Sequence, residues 1–225
     1  MNDENNSAYN LDLFPVDSTP RETTVFPLSD HSVILKSFAS TAASKIYTST
    51  AAISAQAPFR HWQTPGGKQM SALSTNCGEL GWVSDRQGYR YQATDPQTGK
   101  PWPSLPQFLS ELAHDAAAQA GYNDFVPDSC LLNKYLPKAS MGLHQDRDER
   151  DFSQPIVSIS LGLPAQFLWG GLKRSDRPQR LLLEHGDVVV WGAADRLRYH
   201  GIAPVKASKG TTADHRLNLT LRKAS

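Results

Sequence analysis

An α+β chain, with its helices confined to the first half and a β-sandwich or jelly roll filling the second, is the architecture this sequence predicts. Three observations carry it. Beyond residue 128 the apolar residues come in short runs separated by Gly, Pro and Asp, the pattern of many short strands. Before residue 128, two stretches place apolar residues at helical spacing. At 225 residues with 39% hydrophobic and 20% charged, the chain can bury a sizeable core within one large domain.

Residues 1–25 are polar, are broken by Pro15 and Pro20, and lack the apolar periodicity to fold alone, so they read as a flexible acidic tail. A single domain is expected over 26–225. Ser32–Phe38 reads as a strand around Val33, Ile34 and Leu35. Ser40–Gln56, with Ala43, Ile46, Tyr47 and Ile53 as its apolar positions, reads as a helix capped by Ser40 or Thr41 and ended by Pro58. The texture changes between 58 and 103. A turn at Thr64-Pro65-Gly66-Gly67 precedes an alternating run from Met70 to Ser74, then come Trp82, Tyr89 and Tyr91, and bases outnumber acids. Hairpins of that composition suit the stacking of nucleobases and contact with phosphates; an ordinary β-meander with surface aromatics fits equally well. Leu105–Ala120 is a clearer helix, with Phe108, Leu109, Leu112 and Ala116 along one side and Gly121 as its stop. Strands follow over Ser129–Leu136, Ile156–Leu163, Ala165–Trp169, Arg180–Leu183, Val188–Trp191, Leu197–His200 and Leu217–Arg222, with no internal repeat.

Charge and cysteine usage narrow the classes of partner. Six acids against one arginine give residues 1–30 a charge of −5, which leaves +6 on the rest of a chain whose formal charge is +1. That mildly basic body tolerates a polyanionic partner, but it is far from the charge of a protein that grips nucleic acid mainly through phosphates. Cys77 and Cys130 form no disulfide framework and no C-x-x-C, which fits a reducing compartment. No apolar run reaches membrane-spanning length, and the N-terminus has neither the positive start nor the apolar core of a signal peptide. A cytoplasmic, monomeric protein without a membrane partner is the expectation.

The chemistry centres on residues 141–149, Met-Gly-Leu-His-Gln-Asp-Arg-Asp-Glu, and on His200, which follows Asp146 by 54 positions. Two imidazoles and a carboxylate on one side of a metal make the facial triad of non-haem Fe(II) oxygenases. On an extended segment His144 and Asp146 point to one face, so a strand end can offer two ligands and a later strand the third. Alone, His-x-Asp is a common tripeptide and more often a solvated charged loop. The last strand adds context. Leu217, Leu219 and Leu221 face one way; Arg216, Asn218, Thr220 and Arg222 face the other, either as the exposed side of a surface strand or as a receptor for a dicarboxylate. Asn133 and Tyr135 again share a strand face. Iron ligands beside an arginine-lined acid pocket point to use of 2-oxoglutarate.

Thr75-Asn76-Cys77-Gly78, Asp95-Pro96-Gln97-Thr98, Asn133-Lys134-Tyr135, Leu143-His144-Gln145-Asp146, the runs 157–164 and 181–192, Tyr199-His200-Gly201 and the run 216–222 occur together and in order. In these pieces the chain, from about Leu28 to Arg222, resembles the AlkB family of Fe(II)/2-oxoglutarate-dependent alkylation-repair dioxygenases. The resemblance implies a double-stranded β-helix core over 128–225, supporting N-terminal helices, and a nucleotide-recognition lid over 58–103. It implies Fe(II) held by His144, Asp146 and His200. Arg216 would pair with the distal carboxylate of 2-oxoglutarate, with Asn133, Tyr135, Asn218 and Arg222 around the co-substrate. Trp82 and His144 would sandwich a flipped alkylated base, Tyr89 would meet the backbone, and Asp148 and Arg174 would stand at the base edge and on the opposite wall. The implied reaction is oxidative demethylation of N-alkylated bases of the 1-methyladenine and 3-methylcytosine type. It would consume 2-oxoglutarate and O₂, release aldehyde, succinate and CO₂, and act on single- or double-stranded DNA or on RNA. Ser74 and Ser140 stand where the family pattern has Met and Lys, so phosphate grip and lid packing are expected to differ. Two rivals remain at this point: a hydroxylase of a protein or small molecule with the same cofactors, and a non-catalytic jelly-roll binding module.

Overall fold

The computed structural model describes residues 23–207 and 212–225. Most of the expected tail therefore lies outside the described residues, and its last positions, Thr24 and Val25, already belong to a strand. The elements run in the order β1 (Thr24–Ser29), β2 (Ser32–Lys36), α1 (Ala43–Gln56), β3 (Arg60–Gln63), β4 (Gln69–Gly78), β5 (Gly81–Asp85), β6 (Gly88–Gln92) and α2 (Gln107–Gln119). The second half is β7 (Ser129–Tyr135), β8 (Met141–His144), β9 (Ile156–Gly162), β10 (Ala165–Trp169), β11 (Gln179–Leu183), β12 (Val188–Trp191), β13 (His200–Ile202) and β14 (Arg216–Arg222).

An eight-stranded sheet of order β1-β2-β12-β9-β14-β7-β4-β3 faces a four-stranded sheet of order β11-β10-β13-β8, and among the described residues β5 pairs only with β6. This is the expected jelly roll, all antiparallel, with the two helices laid on the outside of the large sheet. Two cores result from strict alternation along the strands. Val157, Ile159 and Leu161 of β9 and Leu217, Leu219 and Leu221 of β14 pack against Ile46 and Ile53 of α1 and Leu109, Ala113 and Ala116 of α2. On the opposite face, Val189 and Trp191 of β12 meet Phe167 and Trp169 of β10 and Leu183 of β11 between the sheets. Every residue of β14 is buried. The strand that alternation alone left open as a surface strand is central, and its polar face lines the space between the sheets.

The departures from the expected elements have local causes. α1 begins at Ala43 with no side-chain cap, because residues 39–43 first make tight turns, Ala42 N–H to Ala39 O and Ala43 N–H to Ser40 O. In α2, Pro106 takes an extended ψ of 131° and delays the helix to Gln107. The strand expected at 197–200 starts only at His200. A 3₁₀ turn at Ala193–Asp195 and the bond from Arg198 N–H to Asp195 O bend the chain before it. β8, four residues reading Met-Gly-Leu-His, is too short to be bounded as a strand from its sequence, and its pairing with β13 is what makes it one. Cys77 and Cys130 are cross-strand partners on β4 and β7, both buried and unlinked. No helix among the described residues is long and apolar enough to cross a membrane.

An ion pair between half-buried Arg60 and buried Asp95 ties the hairpin region to the sheet. Arg60 on β3 donates to both carboxylate oxygens of Asp95, with Nη2 to Oδ2 at 2.7 Å, while its guanidinium lies near the rings of Trp62 and Trp102. Burial alone would raise the Asp95 carboxyl, but the bonds from Arg60 and from Gln97 N–H outweigh it and hold the group below the usual carboxylate range. Arg60→Ala would strand the carboxylate without its cation. We expect a loss of about 3 kcal/mol, read as a fall in melting temperature of about 6–12 °C for a domain of this size. A shift under about 2 °C would mean that Asp95 holds the loop without help from Arg60.

Candidate active site

Between the sheets, and open toward β5 and β6, lies a cavity of about 730 Å³. Its first wall follows from register. His144 ends β8 and His200 begins β13, and the two are direct cross-strand partners; Asp146 follows His144 by two residues and turns back to the same point. A Cβ on Gly201 would lie 2.6 Å from Met141 O, so only glycine lets β13 run this close to β8. His144 Nδ1–H donates to Gly142 O at 2.9 Å and His200 Nδ1–H to Arg198 O at 3.0 Å. Because each acceptor is a carbonyl, both rings carry their proton on Nδ1, and both Nε2 lone pairs are left for a metal. They face Asp146, at 3.6 Å for His144 Nε2 to Oδ1 and 3.7 Å for His200 Nε2 to Oδ2, and the three ligand atoms lie within 4.8 Å of one another.

The electrostatics keep this set ready for a cation. Burial would push the Asp146 carboxyl up, but Arg222 above all, then His200, His144 and Arg196, hold it well below the usual carboxylate range. His200 is pulled down to about 4 by burial and by His144, so it is neutral at physiological pH. Trp191 stands edge-on to His200 with ring centroids 4.9 Å apart, and Phe167 lies 6.2 Å away, so the ligand is walled by aromatics rather than water.

Deeper in the cavity Arg216 is 1% exposed. Its Nη2 donates to Ser160 Oγ at 2.8 Å, whereas Nε and Nη1 are buried with no partner among the described residues. A buried guanidinium with two unanswered N–H groups calls for a carboxylate. Burial brings Arg216 down to about 10, still protonated, and pushes the Tyr135 phenol beside it up to about 12, so Tyr135 remains a donor. Asn133 accepts from Ser74 Oγ at 2.7 Å, and Asn218 is anchored by Ser158 Oγ and Ile159 O. Arg222 lines the same cavity, but its guanidinium turns to the metal side: Nη2 and Nε donate to Asp146 Oδ2 at 2.7 and 3.1 Å.

At the mouth, Trp82 of β5 stacks on Tyr89 of β6, with centroids 5.6 Å apart and planes at 15°, and its Nε1–H donates to Asp148 Oδ2 at 2.8 Å. Asn76 on β4 clamps the main chain of Trp82 through both of its amide atoms. Arg174, exposed on the far wall, donates to Leu143 O and lies over Tyr199. All twelve residues singled out in the sequence line this one cavity.

The family model of the 2OG-Fe(II) oxygenase superfamily matches residues 31–222. The chain is 54% identical to the alpha-ketoglutarate-dependent dioxygenase AlkB of Escherichia coli, over 95% of this chain and 98% of that one, and 51% identical to AlkB of Salmonella typhimurium over 96% and 98%. The chain belongs to the AlkB family of 2-oxoglutarate–Fe(II) oxygenases. The solved structure of OsALKBH1 superposes with a TM-score of 0.78 at 29% identity, covering 89% of this chain and all of that one. This AlkB-family enzyme therefore uses Fe(II), 2-oxoglutarate and O₂, and its residues fit them. The three convergent ligand atoms can take the metal, and the two unanswered N–H groups of Arg216 can take a terminal carboxylate.

Three residues that join the site were given no role there by the sequence. Glu149 and Arg196 are buried and paired at 3.0 Å, and Tyr91 reaches in from β6 to donate to Glu149 Oε1 at 2.7 Å. In a run reading His-Gln-Asp-Arg-Asp-Glu-Arg-Asp, charges of both signs follow one another as they would on a solvated turn. Only the fold shows that Glu149 points inward beside Asp146.

Proposed function

We propose that this enzyme demethylates N-alkylated bases of the 1-methyladenine and 3-methylcytosine type in DNA, with RNA as a further substrate, and that it acts as a cytoplasmic monomer. The observation that carries the reading is the aromatic shelf of Trp82 and Tyr89, joined to an acid, Asp148, at the mouth of a cavity whose other end presents metal and carboxylate receptors. When bound, the iron and co-substrate supply the oxidation of an N-methyl carbon to a carbinol that falls apart to aldehyde and restored base, with succinate and CO₂ as co-products.

The chain's own residues would do the rest. A base alkylated at a pairing nitrogen is cheap to extract, since its pairing is already lost, and it is cationic. Trp82 and His144 would hold its faces, Asp148 its positive edge, and Tyr89 and Arg174 the flanking backbone, with 58–103 as the recognition lid. Inside, His144, Asp146 and His200 would hold the metal, and Arg216 the distal carboxylate, with Asn133, Tyr135, Asn218 and Arg222 around the co-substrate. Buried, unlinked Cys77 and Cys130 support a reducing compartment.

Base-on-aromatic stacking is worth roughly 1–3 kcal/mol per base. Trp82→Ala is therefore expected to weaken use of a methylated single-stranded oligonucleotide by about one to two powers of ten, with 2-oxoglutarate decarboxylation in the absence of nucleic acid near its basal rate. Equal affinity of the wild type for methylated and unmodified strands, or an unaffected variant, would remove the flipped-base pocket.

A further inference from the structure

We propose that Glu149 is a positioning residue through which a base docked on the aromatic shelf orders the metal-ligand carboxylate, with Tyr91 as the contact from the hairpin. The inference rests on the nucleic-acid reading above and adds a coupling between its two halves. Trp82 and Tyr91 are direct cross-strand partners on β5 and β6, so whatever presses on Trp82 moves Tyr91 with it. Among the described residues this hairpin pairs with no other strand; Asn76 and Gln63 tie β5 to the large sheet at single points rather than along a ladder.

The path inward is short and fully hydrogen-bonded. Tyr91 O–H donates to Glu149 Oε1 at 2.7 Å, and burial keeps the phenol protonated. Arg222 lies 3.3 Å from the same oxygen through Nε, and its Nη1 approaches the Tyr91 hydroxyl at 3.4 Å. The other Glu149 oxygen takes Arg196 Nη2 at 3.0 Å, and Arg196 Nη1 donates to the main-chain oxygen of Asp146 at 2.6 Å. Arg222 closes the circuit on Asp146 Oδ2. Asp146 is thus held at its backbone by one arginine and at one carboxylate oxygen by another, and Glu149 fixes both.

Stability alone is a weak account of this cluster. Four buried charges are worth little more than a well-packed apolar group of the same volume, whereas they dictate where Asp146 presents Oδ1. A base stacked on Trp82 restrains the hairpin, and through Tyr91 and Glu149 it restrains Arg222 and Asp146. A metal arriving second then meets a carboxylate whose ordering cost has already been met. Linkage requires the reverse as well: the metal must tighten the oligonucleotide by the same factor.

The test is a titration of the full chain with Co(II) under anaerobic conditions, followed by the cobalt absorption bands, with and without a saturating methylated single-stranded oligonucleotide. In the wild type the oligonucleotide should tighten Co(II) binding by about five- to tenfold, the lower part of the range for coupled sites. In Glu149→Gln, and in Tyr91→Phe, which removes only one hydroxyl, the ratio should fall to within about twofold of unity while oligonucleotide still binds. A merely structural role would lower melting temperature and leave the ratio intact. An unchanged Co(II) affinity in the wild type, or a ratio preserved in Glu149→Gln, overturns the proposal; should that variant fail to fold, a ratio preserved in Tyr91→Phe does so. Failure of the wild type to bind the oligonucleotide at all would instead overturn the nucleic-acid reading beneath it.

Discussion

His144→Ala and Asp146→Ala are each expected to abolish demethylation, yet to differ in what they do to the fold. Loss of turnover should exceed the roughly 10–100-fold that follows removal of a mere supporting partner of a ligand, because two remaining ligands no longer fix the metal. His144 is partly exposed, its side chain keeping 38% of its surface, and among the described residues its ring is hydrogen-bonded to Gly142 O at 2.9 Å, so its removal leaves little behind. Asp146 is different. It is buried and accepts two bonds from Arg222, and without it a buried guanidinium keeps Glu149 as its one carboxylate among the described residues, with the Tyr91 hydroxyl beside it. Stripping one partner from a buried charge network costs about 3 kcal/mol or more, or about 6–12 °C in melting temperature at this size. Asp146→Asn separates the effects, since it keeps an oxygen for Arg222 while losing the anionic ligand. Thermal melts of the metal-free variants, alongside turnover, give the check. Residual turnover above about 1% of wild type in any triad variant would sink the ligand assignment, and equal melting losses for His144→Ala and Asp146→Ala would sink the account of Arg222.

That contrast also marks how far the sequence could be read. Alternation in β14 and β9 made the jelly-roll half legible, because a period of two in short β-branched or leucine-rich runs has one structural meaning. The two helices were legible for the same reason at a period of 3.6. What alternation could not say was whether the polar face of β14 met water or a cavity. The answer depends on β10, β11 and β13 lying opposite it, a matter of pairing across tens of residues. The same holds for β8, four residues that become a strand only because His144 pairs with His200. Residue types that chemistry restricts to few roles, such as His-x-Asp with a distant histidine or an Arg-x-Asn-x-Thr-x-Arg face, were visible. Glu149 and Arg196 were not, and Tyr91 was visible only as one more hairpin aromatic, since a glutamate, an arginine and a tyrosine are ordinary surface residues until the fold turns them inward.

Arg216→Lys is expected to raise the concentration of 2-oxoglutarate needed for half-maximal turnover by about 10–100-fold, with kcat at saturation changed far less. The reasoning starts from what the guanidinium lacks. Nε and Nη1 are buried and unpartnered among the described residues while Nη2 donates to Ser160, so a carboxylate arriving in the cavity meets charged donors that nothing else answers. A lysine keeps the charge but offers a point rather than a fork, and the loss of one charge-assisted bond is worth about 1.5–3 kcal/mol. A reading free of turnover uses melting temperature with Mn(II) in place of Fe(II). Co-substrate at about 100 times its dissociation constant stabilises a protein by about 2.7 kcal/mol, here about 5–10 °C, and Arg216→Met should lose nearly all of that shift. The same variant removes a buried cation that has no carboxylate hydrogen-bonded to it among the described residues, so without 2-oxoglutarate it should melt no lower than wild type. The two halves depend on each other. If Arg216→Met both melts lower on its own and keeps the shift with 2-oxoglutarate, the guanidinium is part of the fold's internal bonding, and the co-substrate's distal carboxylate is held elsewhere.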